Sequence, residues 1–230
     1  MNSDSPNRKR ILIACLIFIG ILPYELNGFY NPLLQNSPGQ FWVAEILTWI
    51  LLPIVIYAIG IRHGLFSNRE LGFNCTVARK QNLLLFLASL VVVPVLLRIT
   101  YVASDFISQL LFPINYGAIG FSYKNIVPAN GVLRVLALLH FSLTAGIVEE
   151  TIYRGMLKQL FDDNERGNAL FVIISSLVFA SVHWEGGARG LFLAFSFGIV
   201  ASVFYALLKN IWPLILGHAL SDLLWLMNPN

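Results

Sequence analysis

Long blocks of hydrophobic residues alternate with short polar segments along this chain. The blocks cover residues 11–26, 41–61, 83–102, 132–148, 169–184, 191–208 and 211–227. A bilayer core about 30 Å thick requires about 20 apolar residues in a helix, so blocks of this kind predict membrane-spanning helices. The pattern therefore predicts an all-α fold: a polytopic transmembrane helix bundle of about seven helices, within a range of roughly six to eight.

Composition and the polar segments favour a single integral membrane domain over residues 1–230. Hydrophobic residues make up 57% of the chain and charged residues only 12%, whereas soluble domains carry about 25% charged residues. The polar stretch 68–82 predicts a loop. Apolar residues in 104–114 recur at helical spacing and predict a separate helix in the membrane interface, followed by a loop at 115–130.

The distribution of lysine and arginine predicts the orientation. With a cytoplasmic N-terminus, the cytoplasmic side holds Arg8, Lys9, Arg10, Arg62, Arg69, Arg79, Lys80, Arg154, Lys158, Arg166 and Lys209. The opposite side holds only Arg98, Lys124, Arg134 and Arg189. Because cytoplasmic loops are enriched in basic residues, we expect an integral protein of the cell (inner) membrane with its N-terminus in the cytoplasm. The net charge of +3 comes without a basic stripe, which argues against a nucleic-acid partner.

Two adjacent glutamates at the end of the fourth hydrophobic block are the first candidates for chemistry. Ionisable residues in membrane segments are costly and mark functional sites by default. Glu150 and Arg154 are four residues apart, so they can pair on one helix face. Glu149 is turned about 100° away from that face and is free for acid–base work. An ordinary interfacial ion pair explains these residues equally well when they are taken alone.

Two histidines and an aspartate supply further candidates. Phe179 and His183 share one helix face, and so do His218 and Asp222, because residues four apart lie on the same side of a helix. A polar anchor at a helix end explains His183 alone, and a hydrogen bond between helices explains His218 with Asp222. Together with Glu149, these groups lie on three different predicted helices, which a bundle can bring to one polar cavity.

These motifs resemble the signature of the CAAX prenyl endopeptidase family, also called the bacteriocin-processing (CPBP) or Abi family. The three motifs are Glu149-Glu150-Thr151-Ile152-Tyr153-Arg154, Phe179-Ala180-Ser181-Val182-His183 and His218-Ala219-Leu220-Ser221-Asp222. The resemblance covers residues 146–222 and implies a catalytic core at 132–227. It also implies intramembrane hydrolysis of a peptide bond in a membrane-associated peptide or protein.

The resemblance also implies a role for each motif residue. Glu149 resembles the general base that activates water, and Glu150 with Arg154 resembles its supporting pair. His183 corresponds to a residue that helps to hold the water. His218 and Asp222 correspond to the residues that polarise the scissile carbonyl.

One departure from the family pattern concerns Asp222, where asparagine is common. An ionised aspartate only accepts hydrogen bonds, whereas asparagine can donate one to an oxyanion. Asp222 is therefore protonated, orients His218 or ligates a metal. We favour chemistry without a cofactor. The alternative is a zinc-dependent protease with Glu149, His183, His218 and Asp222 as ligands.

Two functions of other classes use the same residues. A proton-coupled transporter could relay protons through buried glutamate and histidine, although transporters often show two related halves and the motifs here lie in one half only. A non-catalytic membrane immunity protein is the other alternative. Outside the motifs, Glu25 and Glu45 are expected near the membrane surface, and His140 is expected to bond a neighbouring helix.

Overall fold

Helices make up most of the described backbone. The computed structural model describes residues 6–73, 80–119, 121, 123 and 126–227. The helices are α1 (Pro6–Glu25), α2 (Asn27–Leu34), α3 (Pro38–Ile46), α4 (Leu52–Arg62), α5 (Lys80–Leu111), α6 (Gly131–Glu150), α7 (Glu165–Ser181), α8 (Gly187–Leu208) and α9 (Trp212–Met227). A π-helical turn, Leu47–Leu51, joins α3 to α4, and a second, Thr151–Met156, extends α6. The predicted all-α fold is confirmed.

Several of these helices are long and apolar enough to cross a membrane. Within the described residues there are five such spans: Asn7–Leu34, Pro38–Arg62, Leu83–Leu111, Gly131–Met156 and Gly187–Leu208. Helix α9 is apolar but shorter. Helix α7 begins with the polar residues Glu165 and Arg166 and packs along α8. The structure is therefore that of a helical membrane bundle, in which two shorter helices pack against the long ones.

Glycine residues allow the helices α6 to α9 to pack closely. A Cβ atom added to Gly146 of α6 would lie 2.8 Å from the backbone oxygen of Ile215 in α9. One added to Gly198 of α8 would lie 3.0 Å from the Cα atom of Ser176 in α7. Glycine permits such approach of membrane helices, which associate through close packing. These two contacts hold α6 against α9 and α7 against α8, and the candidate residues lie on or directly after α6, α7 and α9.

Helix α5 differs from the sequence prediction. It continues without a break to Leu111, so the expected separate helix in 104–114 is wrong. The reason is local, because no proline or glycine interrupts the chain between Val102 and Leu111. The expected loop at 68–82 holds over 68–73, its 74–79 part lies outside the described residues, and α5 already begins at Lys80.

Ionic contacts join four segments at one end of the bundle. Lys9 lies 3.8 Å from Glu70, and Arg10 contacts Asp162. Lys158 and Lys209 both contact Asp163, and their hydrogen bonds lower the pKa of that carboxyl to about 2. The N-terminal segment, the loop after α4, the loop before α7 and the turn after α8 therefore lie at the same end, as the charge pattern predicts. Arg79 and Lys124 of that pattern lie outside the described residues.

Candidate active site

A buried network links the end of α6 to the middle of α9. Arg154 Nη1 lies 3.2 Å from Glu150 Oε1, and neither side chain is exposed. The same Oε1 atom lies 2.7 Å from Nδ1 of His218. A carboxylate only accepts hydrogen bonds, so the guanidinium and the imidazole both donate to Glu150. The negative charge of Glu150 is thus compensated inside the bundle.

Glu149 and Asp222 face the other nitrogen of the His218 ring. Glu149 Oε2 and Asp222 Oδ2 each lie 3.6 Å from Nε2. Glu149 Oε2 is buried and has no hydrogen-bond partner among the described residues. Asp222 is the more open of the two, with 29% of its side chain exposed. Since buried polar atoms are nearly always paired, the orphaned oxygen of Glu149 indicates a position for a further polar group.

Phe179 connects His183 to this network. The Arg154 guanidinium carbon lies 4.4 Å from the centre of the Phe179 ring, a distance at which a cation and an aromatic face attract each other. The same ring lies 4.7 Å from the ring of His183 and 5.8 Å from that of His218. His183 Nδ1 is 2.8 Å from the backbone oxygen of Phe179, so it is the protonated nitrogen.

The structure thus brings five of the six predicted residues into direct contact: Glu149, Glu150, Arg154, His218 and Asp222. His183 joins them through the shared Phe179 ring. The Glu150–Arg154 pairing that the helix spacing predicts is present.

Comparison with known proteins adds the family. Residues 130–224 match the family model for Rce1-like type II CAAX prenyl endopeptidases. This segment belongs to that family. It runs from the start of α6 into α9 and contains all six candidate residues. The match covers about two fifths of the chain, and it confirms the family that the motifs indicate. No curated protein and no solved structure matches the chain significantly.

The family assignment bears on the alternatives. Rce1-like proteins are peptidases of the membrane, which favours an endopeptidase over a transporter or a silent immunity protein. For the zinc alternative, the donor set is Glu149, His183, His218 and Asp222. In the described part of the chain, no three histidine, cysteine, aspartate or glutamate side chains are arranged to hold a metal ion. The described side chains of the Rce1-like segment therefore form no preformed metal cage.

Two aromatic residues of the Rce1-like segment were missed by sequence reasoning. The ring of Phe197, on α8, lies 5.0 Å from the His218 ring and 6.0 Å from that of Phe179. Tyr153 is fully buried, its ring lies 5.3 Å from Phe179, and its hydroxyl has no hydrogen-bond partner among the described residues. Tyr153 stands inside the first motif, whereas Phe197 is one apolar residue in an apolar helix and carries no distinguishing sequence signal.

Two polar contacts lie outside the Rce1-like network. His140 Nε2 is 3.2 Å from Glu45 Oε1, which confirms the expected bond from His140 to a neighbouring helix. Glu45 itself is buried within α3. Glu25, at the end of α1, accepts a hydrogen bond of 2.6 Å from the Ser181 hydroxyl at the end of α7.

Proposed function

We propose that this protein is an intramembrane endopeptidase in which Glu149 acts as the general base on a water molecule. The observation that supports it best is the contrast between the two glutamates. Glu150 is neutralised by Arg154 and His218, whereas Glu149 Oε2 is buried without a hydrogen-bond partner among the described residues. A general base must reach the proton that it abstracts. The Oε2 atom of Glu150 also lacks a hydrogen-bond partner among the described residues, but Glu150 is held through Oε1 by Arg154 and His218, so Glu149 is the carboxylate that is left for the water.

The proposed reaction begins with attack by water on the scissile carbonyl carbon. Glu149 takes a proton from the water as the new C–O bond forms, and the carbonyl oxygen becomes an oxyanion. His218, with both ring nitrogens protonated, donates from Nε2 to that oxygen, because Nδ1 is already bonded to Glu150. Oriented donors of this kind are often the largest single contribution to acyl-transfer catalysis. Glu149 then passes its proton to the leaving amine as the C–N bond breaks.

The other candidate residues support these steps. Asp222 faces Nε2 of His218 and orients the ring before substrate arrives. His183 has Nε2 available, since its Nδ1 bonds Phe179, and it helps to hold the water. Arg154 compensates the charge of Glu150, so that Glu150 remains a fixed acceptor for His218. The substrate is a membrane-associated peptide or protein, since the groups lie in and beside helices that can cross the bilayer.

The test compares the wild-type protein with Glu149→Gln in detergent, using a library of membrane-anchored peptides as substrate. We expect cleavage to fall by about 10²–10⁴-fold, the usual contribution of a general base. Glu165→Gln changes an exposed glutamate of α7 in the same way and serves as the matched control. Equal cleavage by the wild type and Glu149→Gln would show that the assignment of the base is wrong.

A chelator arm separates the two forms of the proposal. Cleavage that survives chelation supports glutamate chemistry without a cofactor. Cleavage that chelation abolishes and added zinc restores supports the zinc-dependent alternative, with Glu149, His183, His218 and Asp222 gathering around the ion on binding.

We also propose that the N-terminus is cytoplasmic and the host membrane is the cell membrane. The support is the excess of lysine and arginine on the segments that meet at one end of the bundle, including Lys9, Arg10, Lys158 and Lys209. Reporter fusions at both termini test it: the N-terminal fusion should be active only with a cytoplasmic reporter. The reverse pattern would contradict the orientation.

A further inference from the structure

The segment 112–119, which follows α5, is bound along the turn that carries His183. We name residues 112–119 the strap. The turn runs from His183 to Gly186 between α7 and α8. Two backbone hydrogen bonds join the strap to this region: Ile119 N donates to the oxygen of Glu185 (2.8 Å), and Ala188 N donates to the oxygen of Tyr116 (3.1 Å). Ala118 and Gly186 also form an antiparallel bridge. The strap lies outside the Rce1-like segment, so the family motifs do not account for it.

Two polar side chains fasten the strap to the turn. Asn115 Nδ2 donates to the backbone oxygen of Gly186 at 3.0 Å, and Asn115 Oδ1 accepts from the backbone nitrogen of Arg189 at 3.1 Å. The Arg189 side chain returns the contact, with Nε donating to the oxygen of Phe112 at 2.8 Å and Nη2 to that of Pro113 at 2.7 Å. The amide nitrogen and oxygen of Asn115 and two N–H groups of the Arg189 guanidinium are thus used.

Glycine at position 187 is what lets the strap approach. Gly187 has a φ of +67°, a conformation that residues with a Cβ rarely adopt. A Cβ atom placed there would lie 2.7 Å from Asn115 Oδ1 and 2.8 Å from the nitrogen of Ala118. The turn and the strap are therefore fitted to each other at backbone distance.

The conformation of this turn determines the position of His183. His183 is two residues beyond the end of α7, and its backbone oxygen accepts from Gly186 N at 3.0 Å. Gly186 is the residue whose own oxygen Asn115 holds. A shift of the strap is therefore transmitted through one residue, Gly186, to the histidine.

We propose that Asn115 and Arg189 are positioning residues that hold His183 against Phe179 and the buried network. The proposal rests on the proposed function, because His183 is given a role there. It adds a part of the chain before residue 130 to the working site.

The first measurement is hydrogen exchange by mass spectrometry on the full chain in detergent, without substrate. Asn115→Ala removes the two hydrogen bonds that its side chain makes to Gly186 and Arg189. We expect exchange in peptides covering 183–190 to become roughly tenfold faster. Tyr116→Ala is the matched control, because its side chain is exposed and lies in the same strap. Gly187→Ala, which displaces the strap without removing a polar group, should act like Asn115→Ala.

The second measurement reports on His183 itself. The chain has 4 histidines, so ¹⁵N-histidine labelling gives few ring signals, which single substitutions such as His183→Asn assign. In Asn115→Ala and Arg189→Lys, we expect the His183 signal to shift or broaden while those of His63 and His140 stay unchanged.

Two outcomes would overturn the proposal. Unchanged exchange would show that the strap does not hold the turn. Faster exchange with an unchanged His183 signal would show that the turn does not position the histidine. Neither readout requires cleavage, so a failure of the Glu149→Gln test stays distinguishable from a failure here.

Discussion

His218 Nδ1 lies 2.7 Å from Glu150 Oε1, and this hydrogen bond leaves Nε2 as the ring nitrogen that is available for other contacts. The opposite nitrogen then has Glu149 and Asp222 on its side, each at 3.6 Å. One carboxylate of the adjacent pair is thus structural and the other is available. The division arises from a helix in which neighbouring residues point about 100° apart.

Loss of the Arg154 guanidinium should destabilise the protein strongly. In Arg154→Ala, Glu150 keeps its charge in a fully buried position with only His218 to compensate it. Breaking a buried pair by removing one partner costs about 3–5 kcal/mol. The measurement is the free energy of unfolding in detergent, with Arg166→Ala, an exposed arginine on α7, as control.

The double variant Glu150→Leu/Arg154→Leu sharpens that test. Because it leaves no unpaired charge, it should be more stable than Arg154→Ala, although it should not cleave. A double variant that is less stable than the single one would contradict the account of Glu150 as a compensated charge.

Asp222→Asn should retain cleavage within about tenfold of the wild type. The amide occupies the same position beside His218 Nε2 and offers both a donor and an acceptor. Asp222→Leu has a similar size but no polar atom, and we expect it to lose at least about a hundredfold, as acid–base and orienting groups do. Cleavage by Asp222→Leu at the wild-type rate would remove Asp222 from the mechanism.

His140→Ala should lower stability without changing cleavage per folded molecule. It leaves the buried Glu45 carboxyl without its partner on α6, and an unsatisfied buried group costs about 1–3 kcal/mol. His63→Ala removes an exposed histidine after α4 and should change neither quantity. A drop in cleavage greater than the loss of folded protein would instead connect the Glu45–His140 pair to the reaction.

Asp163 should stabilise the protein only above the acid range. The Lys158 and Lys209 hydrogen bonds lower its pKa from 3.8 to about 2. A lowered folded-state pKa contributes stability above the unfolded value, and this stability is lost as pH falls through the folded value. Asp163→Asn should therefore have a lower free energy of unfolding than the wild type at pH 7. This difference in free energy should shrink between about pH 4 and pH 2.

Salt provides a second check on the same pair of contacts. Asp163 is exposed, so its ion pairs are screened and the difference should also shrink in 1 M salt. Glu165→Gln serves as the control for charge removal nearby. A difference that is independent of both pH and salt would indicate a cause other than these ion pairs.

The sequence predicts the location of the helices better than the contacts between them. Hydrophobic blocks long enough for a bilayer locate the helical rods, because that signal is summed over many residues. The continuation of α5 to Leu111 was missed, since a polar residue such as Ser104 weakens hydropathy without breaking a helix. The helical spacing also gives the Glu150–Arg154 contact, because both residues lie on one helix.

Contacts between helices are harder to infer from one sequence. Spacing does not reveal that His218 would bond Glu150 rather than only Asp222, since this depends on how α9 packs on α6. The strap is a similar case. Asn115 and Arg189 are 74 residues apart, and an asparagine in a loop and an arginine at a helix start carry no pattern that pairs them.

Because of the π-helical turn Thr151–Met156, the direction in which the following side chains point depends on the number of residues in the turn. Before it, α6 packs on α9, and within it the chain turns to α1, α7 and α8. A π turn holds one residue more than an α turn, and each residue rotates a helix by about 100°. Deletion of one residue here would restore a regular helix and rotate Arg154 and everything after it away from their partners. This turn should therefore tolerate a substitution at Thr151, which is partly exposed, far better than any change of length.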